Sequence, residues 1–288
     1  MKESVIFAGD SYTWGEGLQL YIDNEFWIKE RSKPNDWLNL KPKCTSETEK
    51  FREENRFAGI VSNFYDYNLI TFPHDGVSFW ESVELIEQNI NTPNLKFIVY
   101  QFTILDRLPI ILDPQLSNSN LFNENDTLTG ILSSYIQHKI FNNTIEKKSE
   151  CQIQILKEVY NIDIDEILQL SIDELKKFYY DFLCKKLLDT FVTTFVNKWK
   201  QKCDVYFIDS WFYDSSDIIQ KSETIKNNII PLIGTDGKLY KKWSDWEYTF
   251  KYKNIIEEFP ETGNGHPTLE QHKYLAKSII KFINESEK

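Results

Sequence analysis

The chain alternates short apolar runs with longer segments whose apolar residues recur at helical spacing. Val5-Ile6-Phe7-Ala8 is the first run and Gly9 closes it. Residues 67–72 form the second, closed by Pro73, residues 97–101 the third, and residues 205–208 the fourth. Such runs are too short for helices and rich in β-branched and aromatic residues, as strands buried on both faces of a parallel sheet are. A fifth strand is expected at residues 229–233, pushed to an edge by Pro231, which has no N–H to give to a ladder. Helical spacing covers residues 54–65, and again 79–90 with Phe79, Val83, Ile86 and Ile90 on one face. Ser171-Ile172-Asp173-Glu174 fits a capping box and opens a helix. Its apolar positions run through Leu175, Phe178, Phe182, Leu187, Phe191, Phe195 and Trp199. Residues 268–283 close the chain, with Tyr274, Leu275, Ile279, Ile280 and Phe282 mostly on one face. Alternating strand and helix predicts an α/β protein, a parallel sheet wrapped by helices.

Two stretches interrupt that rhythm. Residues 25–54 are polar and carry Trp27 and Trp37, and residues 108 to about 173 are Asn-rich. Compact α/β connections usually take only a few residues, so both read as insertions. One domain over 1–288 is expected, with a helical insertion at 108–200.

Composition narrows the function classes. With 41% hydrophobic and 27% charged residues, a packed core is expected and wholesale disorder is not. Lys and Arg number 33 against 44 Asp and Glu, so the net charge of −11 repels phosphate backbones and argues against nucleic-acid partners. Cys44, Cys151, Cys184 and Cys203 form no Cys-x-x-Cys pair and read as free buried thiols in a reducing compartment. The first apolar run is shorter than the ~7–15 residues of a signal peptide, and no run approaches the ~20 of a membrane span. A cytoplasmic protein without a membrane span is the expectation. Scattered His and Cys residues offer no metal-ligand spacing, and no Gly-rich phosphate or dinucleotide loop occurs, so neither metal nor cofactor is expected. The oligomeric state stays open.

Ligands of open α/β sheets bind at the carboxyl ends of the strands. The first strand is followed by Gly9-Asp10-Ser11-Tyr12-Thr13, the second by His74-Asp75-Gly76-Val77-Ser78, the third by Phe102-Thr103 after Gln101. Gly263-Asn264-Gly265-His266-Pro267-Thr268 precedes the last helix. A nucleophile, a base and donors for a developing oxyanion thus arrive at one expected edge, a set that suits acyl transfer.

These blocks resemble those of the SGNH hydrolase superfamily, the GDSL-type esterases and lipases. Gly9-Asp10-Ser11-Tyr12-Thr13 matches the first block, Gly76-Val77-Ser78 is similar to the second, and Gly265-His266-Pro267-Thr268 to the fifth. The resemblance implies a flavodoxin-like, three-layer α/β/α sandwich around a central parallel sheet. It implies Ser11 as nucleophile, His266 as base, and Gly76 with Thr103 or Gln101 as oxyanion donors. Two blocks depart from the pattern. Where the family has Gly-x-Asn-Asp, this chain has Gln101-Phe102-Thr103-Ile104, so a hydroxyl or an amide must replace the Asn. Where the family has Asp three residues before the His, this chain has Gly263, leaving Asn264, Glu261 or a backbone carbonyl to orient the ring. Asp10 is expected to bond backbone near the turn, Arg107 to face the site or anchor the insertion, and His272 to pack or lie on a helix surface. The implied activity is hydrolysis of a small-molecule or glycan acyl ester. An O-acyltransferase and a non-catalytic scaffold on the same fold are the alternatives. Taken singly, Ser11 reads as a helix cap, Gly76 as a turn glycine and Thr103 as a strand-end residue.

Overall fold

The computed structural model describes residues 2–22, 45–72, 79–102, 154, 157, 185–210, 216, 219–259 and 265–286. Strands β1 (Ser4–Ala8), β2 (Asn68–Ile70), β3 (Leu95–Gln101) and β4 (Asp204–Ile208) form one sheet of order β2-β1-β3-β4. Every pairing in it is parallel, with Ala8 opposite Tyr100 and Tyr100 opposite Phe207. The fold is therefore α/β. All five residues of β1 are buried, as a central strand covered on both faces requires. The fifth run reaches the sheet for one residue only: Ile229 bridges Phe207 in parallel. Beyond Pro231 the chain leaves the sheet. Leu232–Ile233 (β5) pairs instead with Leu239–Tyr240 (β6) as an antiparallel ribbon.

Helices α1 (Ser11–Trp14), α2 (Ser46–Asn55), α3 (Phe57–Tyr65), α4 (Phe79–Asn89), α5 (Lys185–Phe191), α6 (Trp243–Glu247) and α7 (Leu269–Ser286) alternate with the strands. Strand side chains alternate between faces. Ile6, Ala8, Ile98, Tyr100, Val205 and Phe207 enter one apolar cluster; Val5, Phe7, Phe97, Val99, Tyr206 and Ile208 enter another. The first cluster takes Phe79, Val83, Ile86 and Ile90 from the α4 segment, all buried as their spacing demands. Phe191 and Trp199 complete it, their rings 5.1 and 6.4 Å from Tyr100. The second cluster takes Phe57 and Val61 from α3, Trp243 and Trp246 from α6, and Leu275 and Ile279 from α7. Full burial of one such side chain contributes roughly 1.5–3 kcal/mol.

Leu188, Phe191, Val192, Val196 and Trp199, at the end of the span expected as an insertion at 108–200, pack into the first cluster. They are bulky apolar residues that β3 and β4 bury. A π turn at Val192–Val196 follows α5 and shifts the helical phase, so Val192 and Val196 are buried while Phe195 is only partly so. Residues 46–55, most of them in the polar stretch expected as an insertion at 25–54, form α2, whose Thr45 cap accepts from the Thr48 N–H at 3.2 Å. The helix opening at Ser171, with Leu175, Phe178 and Phe182, lies outside the described residues, as do Cys44, Cys151 and Cys184. Cys203 is a free, half-buried thiol pushed up to about 12 by burial and then by Asp204. Among the described residues, no helix is long and apolar enough to cross a membrane.

Helix α7 starts with a reciprocal cap. The Thr268 N–H donates to Gln271 Oε1 at 2.8 Å, and the Gln271 N–H donates to Thr268 Oγ1 at 3.2 Å. Two first-turn donors are thus satisfied immediately after His266-Pro267. Thr268→Ala removes one half of this pair. It should lower unfolding free energy by about 1 kcal/mol in urea denaturation, with an unchanged denaturant slope.

Candidate active site

Chain reversal after β1 depends on two glycines. A Cβ on Gly9 would lie 2.3 Å from Thr13 Oγ1 and 2.8 Å from Gln101 Cβ, so only glycine fits between the ends of β1 and β3. Asp10, buried, caps α1 by accepting from the Tyr12 N–H at 3.0 Å. The helix lasts one turn because Gly15 takes a left-handed φ of 83°, where a side chain is strained. The Gly15 and Glu16 N–H groups then both donate to Ser11 O, at 2.9 and 3.0 Å. This fold-back returns Glu16 to the neighbourhood of the serine.

Ser11 Oγ lies 2.6 Å from His266 Nε2. The two residues are 255 positions apart, and the contact joins the carboxyl end of β1 to the segment before α7. Glu16 Oε2 lies 3.1 Å from the same nitrogen. Both the histidine and the glutamate side chains are mostly buried, at 20% and 15% exposure, so water screens their attraction only in part. The backbone of His266 is also held: its carbonyl accepts from the Ile255 N–H at 2.8 Å. The Tyr12 ring stands edge-on to the imidazole at 5.2 Å, and its hydroxyl donates to Gly265 O at 3.4 Å.

Asp10 behaves as expected, bonding backbone at the turn. Gln101 is engaged beneath the same turn. Its amide donates to Asp10 Oδ1 at 3.2 Å and its Oε1 accepts from Thr13 Oγ1 at 2.5 Å, with the side chain buried. Gly76, Thr103, Arg107 and Asn264 lie outside the described residues, as do Glu261 and Gly263. His272 is a packing residue: fully buried, stacked on Phe57 at 5.8 Å, and accepting the Phe57 N–H at Nδ1. Burial, with the nearby His266 and Arg56 adding to it, pushes its pKa down to about 3, so the ring is neutral.

Sequence reasoning missed Glu16 and Asp209. The Gly15-Glu16-Gly17 triplet signals a turn, yet only the left-handed Gly15 aims the carboxylate back at the histidine. Asp209 directly follows β4. Its Oδ2 accepts from Ser216 Oγ at 2.6 Å and from the Trp243 N–H at 3.1 Å. Trp243 packs against Tyr12 at 5.5 Å, and Tyr12 packs against His266, so Asp209 braces the imidazole through two rings. Among the described residues, no group of three or more His, Cys, Asp or Glu is placed to hold a metal ion. Compared with protein-family models, curated proteins and solved structures, the chain matches none.

Burial pushes the Asp209 carboxyl up to about 6, against the hydrogen bonds from Ser216 and Trp243 that favour its charge. A carboxyl whose folded pKa exceeds its unfolded value near 3.9 holds more protons in the folded state between those two pH values. Its contribution to stability is therefore present at low pH and lost as pH rises through about 6. Asp209→Asn keeps an oxygen for both donors and should flatten that loss. Urea midpoints from pH 4 to pH 7 should fall less steeply in the variant, by an amount of order 2 kcal/mol across the window.

Proposed function

We propose that this chain is a serine hydrolase of ester bonds, a divergent member of the SGNH type. The observation that carries the reading is the 2.6 Å contact between Ser11 Oγ and His266 Nε2. A serine hydroxyl becomes a useful nucleophile when an adjacent base can take its proton, and this distance permits direct transfer. The parallel sheet with apolar clusters on both faces supports the three-layer α/β/α arrangement that such enzymes share.

In this reading Ser11 Oγ attacks an acyl carbonyl while its proton passes to His266 Nε2. The tetrahedral oxyanion is met by backbone N–H groups of Ser11 and Gly76 and by the Thr103 hydroxyl. The Ser11 N–H suits this use, because a first-turn amide has no acceptor within its own helix. On collapse, the C–O bond to the alcohol breaks and Nε2 returns the proton to the departing oxygen. A water, deprotonated by the same nitrogen, then releases the acid and restores Ser11. Glu16 places a carboxylate 3.1 Å from the same Nε2, not at Nδ1 where the Asp missing at Gly263 would act. It stabilises the imidazolium at each transfer, from the Nε2 side of the ring. The substrate class is a small-molecule or glycan acyl ester, and the compartment is the cytoplasm.

A fluorophosphonate probe tests this reading, since it phosphonylates only an activated serine. Wild type should label, Ser11→Ala should not, and Glu16→Gln should label at least about tenfold more slowly. Folded wild-type protein that fails to label would overturn the reading in favour of a non-catalytic scaffold. Labelling that survives in Ser11→Ala would place the nucleophile elsewhere.

A further inference from the structure

Two groups claim one nitrogen at the candidate site. Ser11 Oγ lies 2.6 Å and Glu16 Oε2 3.1 Å from His266 Nε2. An imidazole nitrogen has one in-plane position, filled by a lone pair or by a hydrogen, and an ionised carboxylate can only accept. Glu16 is therefore attracted to Nε2 when that nitrogen carries a hydrogen, and opposed to it when it does not. Ser11 makes the reverse demand, since Nε2 takes its proton only through a free lone pair. One protonation state cannot serve both contacts.

The fold holds Glu16 in this competition. Gly15 and Gly17, on either side of it, both take left-handed φ, of 83° and 90°, so the backbone there is shaped for one direction. The Glu16 N–H is tied to Ser11 O. Beyond Gly17, the turn Leu18–Tyr21 fastens this segment to the one that carries the histidine. Tyr21 Oη accepts the Leu269 N–H at 3.1 Å, at the start of α7, and donates to Glu258 Oε2 at 2.5 Å. Glu258 belongs to the short helix Ile255–Glu258, whose first N–H holds the His266 carbonyl. Both side chains of the pair are mostly buried, so the contact is built into the interior rather than drifting on the surface.

The other titratable groups on the elements around the ring are engaged or uncharged. His272, on α7, is held neutral by burial, then by His266 and Arg56. Glu258 is bonded to Tyr21, and Glu257 accepts the Lys253 N–H at 2.8 Å. Tyr12 presents its ring edge, and Asp209 stands behind Trp243 and Tyr12, two rings away. We propose that Glu16 competes with Ser11 for His266 Nε2 and makes the site a proton gate. The gate is closed while a proton is held between Nε2 and the carboxylate, and open once that proton has left to water. Acid closes it and mild alkali opens it. The effect on the serine rests on the hydrolase reading; the competition at Nε2 does not.

Two pH titrations of the full chain decide it. In the first, the His266 ring is followed by NMR and assigned by its loss in His266→Gln. Glu16→Gln keeps the shape of the side chain and removes its charge. Its His266 ring should lose the proton at least one pH unit below wild type, since a contacting opposite charge produces shifts of about 1–3 units. Glu16→Asp, one methylene shorter, should shift the ring the same way by less, and it carries the test should Glu16→Gln fail to fold. In the second, fluorophosphonate labelling is recorded between pH 4 and pH 9. The acid limb of Glu16→Gln should move down with the ring. The two profiles then cross, the variant being faster below the wild-type limb and slower on the plateau, where only the lost stabilisation of the imidazolium counts. A His266 ring that titrates alike in wild type and folded variants sinks the proposal, whatever the labelling. So does a limb that moves with Asp209→Asn and stays with Glu16→Gln, because the Asp209 carboxyl titrates at about 6. A shifted ring without labelling at any pH leaves the competition at Nε2 standing and removes the hydrolase reading instead.

Discussion

The close approach of Gly9 to Gln101, forced by the parallel pairing of β1 with β3, fixes where Ser11 stands. Ala8 pairs with Tyr100, so the next residue on each strand reaches the sheet edge together. There the Gln101 carboxamide fills the space a side chain on Gly9 would need, and ties Asp10 to Thr13 on either side of the serine. Ser11 is thus held from both flanks by one buried amide. Loss of that amide would leave the Thr13 hydroxyl without its acceptor in a region water does not reach, a cost of about 1–3 kcal/mol.

Electrostatics around the site run against the bulk charge of the chain. The net charge is −11, yet the cations at 52 and 56 are buried immediately behind α1. In front of it, one carboxylate and one hydroxyl converge on His266 Nε2. Short-range placement decides the chemistry here, because partial burial weakens the screening that averages out surface charge. Glu16 illustrates the consequence. A carboxylate five residues after the serine reaches the same imidazole nitrogen as the serine does, because the turn at Gly15 folds the chain back.

Much of the architecture was legible because burial patterns are local. The four parallel strands follow from four short apolar runs, and the α4 segment from Phe79, Val83, Ile86 and Ile90 at helical spacing. Ser11 and His266 were legible too, through the residue types beside them and their places after a strand and before a helix. Other features escaped for identifiable reasons. The π turn at Val192–Val196 inserts an extra residue into a helical repeat, and Phe195 loses the place its spacing assigned. The engagement of Gln101 with Asp10 and Thr13 escaped because an amide at a strand end can point either way. Only the neighbouring Asp10 and Thr13 decide the direction.

By itself the sequence determined which segments are strands and helices, that a parallel sheet forms, and which serine and histidine stand at its carboxyl edge. Those are consequences of periodicity, of glycine and proline placement, and of residue chemistry along a short stretch of chain. The tertiary structure alone decided that Glu16 shares His266 with Ser11, that Asp209 braces the imidazole through Trp243 and Tyr12, and that Arg52 stacks on the Trp14 ring while donating to its carbonyl. Each joins groups whose directions are set by backbone conformation and packing. Identity and spacing say which atoms a chain possesses, and only the packed fold sets which of them meet.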